Sequence, residues 1–187
     1  MSGPGAYLVT SSIVKRYVKE DRSRAADIIY EKAQSGRHRI VISLWNIGEA
    51  LGVLDSCHSR RLLNNEDLHR TLTNFLSECA KLIRPGSMQI FPFAVNTLIE
   101  TYTIELRHHI YQADALQAAT CKTTSSRLLI SADKNLLRVA KAEGTEAFDI
   151  ERDEEQIISR LHQCIRVTVS GASTRCRTRF LGQEAAT

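Results

Sequence analysis

The chain has 187 residues, 43% of them hydrophobic and 25% charged, which suits one globular domain able to bury a real core, with room for an appendage. No apolar run approaches the roughly 18 residues of a membrane span. The opening Met1-Ser2-Gly3-Pro4-Gly5 lacks the basic and apolar regions of a signal peptide, so a cytoplasmic protein with no membrane partner is expected.

The net charge of +4 is unevenly placed. Residues 1–159 balance at 20 basic and 20 acidic side chains, whereas Arg160, Arg166, Arg175, Arg177 and Arg179 face only Glu184. Such an end reads as a solvated, disordered terminus, with electrostatic binding to a phosphate backbone as the alternative. The five cysteines are scattered and contain no C-x-x-C pair, which argues against a zinc knuckle or a disulfide framework. Cys79 and Cys121 fall in helical patterns as small apolar residues. His108 and His109 are adjacent, so their rings cannot share one helix face. The histidines are read as solvated.

In chain order, Ala6-Tyr7-Leu8-Val9 is a short apolar run that predicts a buried strand. Thr10-Ser11-Ser12 offers capping chemistry to a helix carrying Ile13, Val14, Tyr17 and Val18. Beyond the charged break 19–22, Ala25, Ala26, Ile28, Ile29 and Ala33 mark a second helix that stops near Ser35-Gly36. The β-branched run Arg39 to Ser43 predicts a second strand and runs into an apolar helix, Leu44 to Leu54, with Glu49 near its start. A fourth helix, capped within Asn64-Asn65-Glu66-Asp67, repeats Leu68, Leu72, Phe75, Leu76 and Leu82 and ends at Pro85-Gly86. Met88 to Phe93 predicts a third strand, where Pro92 suggests an end or an edge.

Two helices follow, Val95 to about His108 and Gln112 to about Lys122. Then come a strand Arg127–Ser131, a helix Lys134–Ala142 closed by Gly144, and a strand Glu146–Ile150. Strands alternating with helices predict a three-layer α/β/α sandwich around a mostly parallel sheet. The division expected is 6–150 for this domain and 151–187 for a C-terminal extension. The extension is expected to hold a helix over Asp153–His162, a stray strand over Val167–Gly171 and an arginine-rich tail.

In a parallel α/β sheet, sites form outside the carboxyl ends of the strands. Thr10, Glu49, Ser131 and Asp133 fall just past predicted strands, and Asp114 opens a helix that could face the same space. Asp114 has a plain alternative as a helix-start acid favoured by the macrodipole, Asp133 as an N-cap and Glu49 as a solvated helix residue. Three convergent carboxylates would repel one another without a cation, and Mg²⁺ or Mn²⁺ is the natural partner of an all-oxygen cluster.

The stretch Tyr7-Leu8-Val9-Thr10-Ser11-Ser12-Ile13-Val14-Lys15-Arg16-Tyr17 resembles the opening motif of PIN-domain nucleases, particularly VapC-like toxins of toxin–antitoxin pairs. The Glu49 helix, Ala113-Asp114-Ala115-Leu116-Gln117-Ala118-Ala119 and Leu129-Ile130-Ser131-Ala132-Asp133-Lys134-Asn135-Leu136 resemble its three later motifs, in order and spacing. The likeness spans about Ala6 to Ile150. It implies a PIN fold and Mg²⁺/Mn²⁺-dependent RNA cleavage, with RNA as substrate, an antitoxin partner and a homodimer. Under it Glu49, Asp114 and Asp133 match the acidic metal positions, and Thr10 and Ser131 match hydroxyl positions that orient a carboxylate or a water.

One position departs from the pattern: the family's first motif carries an aspartate where this chain has Val9, and valine can neither ligate a metal nor hold a water. Three readings follow. The chain is a disarmed nuclease; or its three remaining acids hold one metal with weak activity; or it keeps only the fold, as a non-catalytic RNA-binding or protein-interaction module. The apolar sides of helices two and four have two readings as well, as core or as an interface.

Overall fold

The computed structural model describes residues 5–18, 23–124 and 126–171, with side chains described up to residue 162. Five strands form one parallel sheet: β1 (Gly5–Leu8), β2 (Arg39–Ser43), β3 (Met88–Phe91), β4 (Leu128–Ser131) and β5 (Glu146–Asp149), in the order β3-β2-β1-β4-β5. β3 lies at an edge, where Pro92 just past it removes no ladder hydrogen bond. Among the described residues, eight helices alternate with the strands or run in pairs between them: α1 (Thr10–Val14), α2 (Arg24–Gln34), α3 (Leu44–Ser59), α4 (Asn65–Ile83), α5 (Val95–His108), α6 (Gln112–Thr123), α7 (Lys134–Ala142) and α8 (Glu154–Gly171). None of them is long and apolar enough to cross a membrane.

The three layers follow from the period-two alternation of the strands. Ala6, Leu8, Ile40, Ile42, Leu128 and Ile130 face one way, into a core closed by Ile13, Ile29, Leu54, Phe75, Ile157 and Leu161 of α1, α2, α3, α4 and α8. Tyr7, Val41, Leu129 and Ala147 face the other way, against Ile104, Ala119, Leu136 and Val139 of α5, α6 and α7. A one-residue slip of any strand would exchange the two faces, so burial on both sides fixes the register.

Local signals set several helix ends. Ser43 and Asn46 form a reciprocal capping box on α3, and the Asn64 side chain caps α4 through the Asp67 N–H. Gly36 and Gly144, just past α2 and α7, take φ of +68° and +82°, which favours glycine.

Four expectations need correction. Thr10-Ser11-Ser12 does not cap α1: the N-cap is Val9, without a side-chain bond, and the three hydroxyls reach other parts of the fold. Residues 167–171 are the end of α8 rather than a strand, because the helical hydrogen-bond ladder begun at Glu154 continues through them. The histidines are not all solvated; His38 is buried and His108 hydrogen-bonds Glu143. Leu76, on the outer side of α4, is exposed. The inner faces of α2 and α4 are core, through Ala25, Ile29, Phe75 and Leu82. Ile157 and Leu161 place the start of α8 in that same core. The charged break 19–22 and the tail beyond residue 171 lie outside the described residues.

Candidate active site

β1 lies between β2 and β4. The chain therefore leaves its carboxyl end in opposite directions from β4, and the crevice above that pair is the switch point where α/β sheets bind ligands. Thr10 leaves β1 at this point, Ser131 ends β4, Glu49 stands on α3 beyond β2, and Asp114 and Asp133 lie in the first turn of α6 and at the N-cap of α7. The five residues thus occupy one end of the sheet.

Their bonding differs. Glu49 is half-buried, and its Oε2 accepts from Thr10 Oγ1 at 2.6 Å and from Gln117 Nε2 at 2.9 Å. Asp133 is exposed, and its Oδ1 accepts the N–H groups of Asn135 at 2.7 Å and Leu136 at 2.9 Å. It does cap α7, as its plain alternative supposed. Asp114 is half-buried and makes no hydrogen bond or ion pair among the described residues. Burial, then the charges of Asp133 and Glu49, hold its carboxyl above the usual range. Asp114 therefore feels both other acids, with no basic side chain offsetting them.

The hydroxyls tie β1 and β4 together at this edge. Ser131 Oγ accepts the Asp133 N–H at 3.0 Å and lies 3.4 Å from Ser11 Oγ. Ser11 Oγ accepts the Ala132 N–H at 3.0 Å, and Ser12 Oγ donates to the Ile130 carbonyl at 2.9 Å. Ser131 thus orients the backbone that carries Asp133.

Sequence reasoning missed the buried polar residues beneath Glu49. Tyr7, Asn46 and Gln117 are enclosed and joined by hydrogen bonds of 2.6 to 3.1 Å. Tyr7 sits in a strand run that reads as plain core. Two weak signals were present: the Ser43-x-x-Asn46 spacing of a capping box, and Gln117 three residues beyond Asp114, on the same helix face.

Val9, with only 7% exposure, belongs to the apolar cluster that also holds Tyr7, Ala115 and Leu129. Its N–H bonds the Ile130 carbonyl, and its own carbonyl accepts from Ser12 and Ile13. The position is thus fixed beside Thr10 and the end of β4, although its side chain is apolar.

The donor chemistry at this end, three carboxylates of which Asp114 is unpaired among the described residues and raised by burial and then by the other two, fits a hard divalent cation. As placed, no three His, Cys, Asp or Glu groups among the described residues stand close enough to enclose an ion. Closing the set requires the three carboxylates to draw nearer to one another than they stand here.

This sheet order and crevice define a doubly wound α/β protein with its acids at the switch point. The PIN domain family model matches residues 6–142, and the chain belongs to that family. Among solved structures, the chain is similar to PAE2754 from Pyrobaculum aerophilum at 19% identity and TM-score 0.56, over 83% of this chain and 96% of that one. It is also similar to VapBC2 from Rickettsia felis, bound to a DNA fragment from their promoter, at 15% identity and TM-score 0.57, over 78% and 98%. A third is Mycobacterium tuberculosis VapC20, a sarcin-ricin loop cleaving toxin, at 12% identity and TM-score 0.51, over 75% and 95%. At these identities the likeness concerns the fold. No curated protein matches the sequence.

Proposed function

We propose that this chain is a PIN-type, Mg²⁺/Mn²⁺-dependent ribonuclease whose turnover is impaired by Val9. The observation that carries the reading is Asp114, half-buried and without a hydrogen bond among the described residues, at the same end of a PIN-fold sheet as Glu49 and Asp133. Glu49, Asp114 and Asp133 would hold the ion. When bound, the ion supplies an acidified water and stabilises the charge that develops on a phosphodiester.

The chain's own residues have distinct tasks. Thr10 fixes Glu49 by donating to Oε2, and Ser131 fixes the turn that presents Asp133. Asp114, without a partner of its own, is the acid free to meet the ion. Val9 contributes neither a ligand nor a hold on water, so one of the family's four acidic positions is silent.

A toxin role with an antitoxin partner is supported by the likeness to VapBC2 and VapC20. A homodimer is supported by an exposed apolar stripe on α5, Val95, Ile99, Tyr102 and Leu106, spaced at three to four residues. Phe93, two residues before Val95 in the chain, is also exposed and packs edge-on against exposed Trp45. A cytoplasmic location accords with the absence of a membrane-spanning helix among the described residues.

Val9 favours a second reading, a non-catalytic RNA-binding or protein-interaction module on the same fold. The test is cleavage of single-stranded RNA in Mn²⁺ by the chain, by Val9→Asp and by Val9→Asp with Asp114→Asn. A nuclease reading expects weak cleavage, a gain and a loss, in that order. Salt-sensitive RNA binding with no cleavage by any of the three supports the module.

A further inference from the structure

The buried amides beneath Glu49 form a chain of hydrogen bonds with only one allowed polarity. It starts at the Ser43 backbone N–H, which can only donate and does so to Asn46 Oδ1 at 2.7 Å. That fixes which end of the Asn46 amide is oxygen, so its Nδ2 must donate, to Thr10 Oγ1 at 3.0 Å and to Gln117 Oε1 at 2.9 Å. Tyr7 OH has one hydrogen and two acceptors in reach, Gln117 Oε1 at 2.6 Å and Asn46 Oδ1 at 3.1 Å, and the shorter contact gives it to the same Gln117 oxygen. With its oxygen held by two donors, Gln117 must turn Nε2 outward, where it donates to Glu49 Oε2 at 2.9 Å. Thr10, already an acceptor from Asn46, spends its one hydrogen on that same oxygen at 2.6 Å. Both branches deliver a donor to Oε2, while Oε1 accepts no hydrogen bond among the described residues.

We propose that Gln117, locked by Tyr7 and Asn46, is the positioning residue that aims the Glu49 carboxylate at a divalent cation. The inference rests on the nuclease reading for the identity of the cation, but the aiming itself is a property of the apo chain. Neither Gln117 nor Asn46 has water access to exchange these partners, since both are buried, with exposures of 2% and 0%. A reversed Gln117 would set its oxygen against a carboxylate and its NH₂ against the Asn46 NH₂. Low local dielectric makes both contacts repulsive. Groups that orient a metal ligand in this way typically change metal affinity by about 10- to 100-fold when removed.

The test is Gln117→Met, which keeps length and removes the donor. It is read by a crystal structure of the metal-free chain, by calorimetric Mn²⁺ titration and by melting temperature. Aiming predicts that the Glu49 carboxylate leaves its place in the variant and that Mn²⁺ binds about tenfold more weakly. A Glu49 that stays in place with unchanged Mn²⁺ affinity, whatever the melting temperature does, overturns the proposal and makes Gln117 a packing residue. A displaced Glu49 with unchanged affinity also overturns it. If Glu49 moves but the parent chain binds no Mn²⁺, the aiming stands and the metal-dependent nuclease reading fails instead. Should Gln117→Met not fold, Gln117→Leu removes the same donor and is read in the same way, and a Glu49 left in place in its structure with unchanged Mn²⁺ affinity overturns the proposal.

Discussion

Val9→Asp is the substitution that probes the crevice most sharply, because it changes shape little and charge by one. Val9 is 93% buried by the exposure given above, so losing its apolar burial costs about 2 kcal/mol. The same position is the N-cap of α1 and has extended backbone, with φ −77° and ψ 156°. A capping oxygen there returns about 1 kcal/mol. Val9→Asn carries both of these terms without a charge, and its expected net cost is about 1 kcal/mol. Aspartate adds a carboxylate at the end of the sheet that already holds Asp114, Asp133 and Glu49. Burial and like charge raise its pKa above the unfolded value near 3.9. The extra destabilisation is then present above the raised pKa and fades as pH falls below it. Urea unfolding in chelator at pH 7 should show Val9→Asp less stable than Val9→Asn by about 1 to 2 kcal/mol, with the gap closing near pH 4. Mn²⁺ at about 100 times its dissociation constant should restore about 2.7 kcal/mol to the aspartate variant. Equal stabilities for the two variants at pH 7, with and without Mn²⁺, would refute the idea that position 9 faces the acids.

Three further outcomes follow from the same structure. Asp133→Ala removes an acceptor for two N–H groups at the start of α7 and should cost about 1 kcal/mol in chemical unfolding; no loss would mean the cap bonds are not formed in solution. Asp114→Asn removes an unpaired carboxyl held above its usual range by burial, Asp133 and Glu49. It should leave the metal-free protein as stable or more stable at pH 7 while weakening Mn²⁺ binding, and a clear loss of melting temperature would contradict the crowding of these acids. His38 is buried with neither ring nitrogen hydrogen-bonded among the described residues, and burial, Lys32 and Arg39 push its pKa down to about 4. Its folded pKa lies below the unfolded value near 6.5, so stability present above pH 6.5 is lost as pH falls toward 4, by at most about 3 kcal/mol. His38→Leu should flatten that dependence in unfolding curves taken from pH 7 to pH 4.5, and an unchanged slope would show that another group carries it.

The fold was legible because its signals are local. The β-branched run Arg39–Ser43 has the bounds of β2, and the glycines at 36 and 144 sit just past helix ends, because strand burial and left-handed backbone each select residue types directly. Capping by Thr10-Ser11-Ser12 was misread because hydroxyls serve long-range partners as readily as local ones; Thr10 reaches Glu49 and Ser12 reaches Ile130. Residues 167–171 read as a strand from β-branched Val167, Thr168 and Val169, yet helical continuity from Glu154 overrides that propensity. At the site, the acids stood out as charged residues at element ends. The Tyr7–Asn46–Gln117 relay did not, since its members are separated by 39 and 71 positions along the sequence and meet only once the sheet has formed.

The central claim is that Glu49, Asp114 and Asp133 converge on one hard cation, in a site weakened by Val9. Calorimetric titration of Mn²⁺ into this chain and into Val9→Asp tests it most directly. The account predicts one weak site per chain in the parent and markedly tighter binding in Val9→Asp, abolished by adding Asp114→Asn. Absence of Mn²⁺ binding by either chain would contradict it and leave the carboxylates as separate helix-start and capping residues.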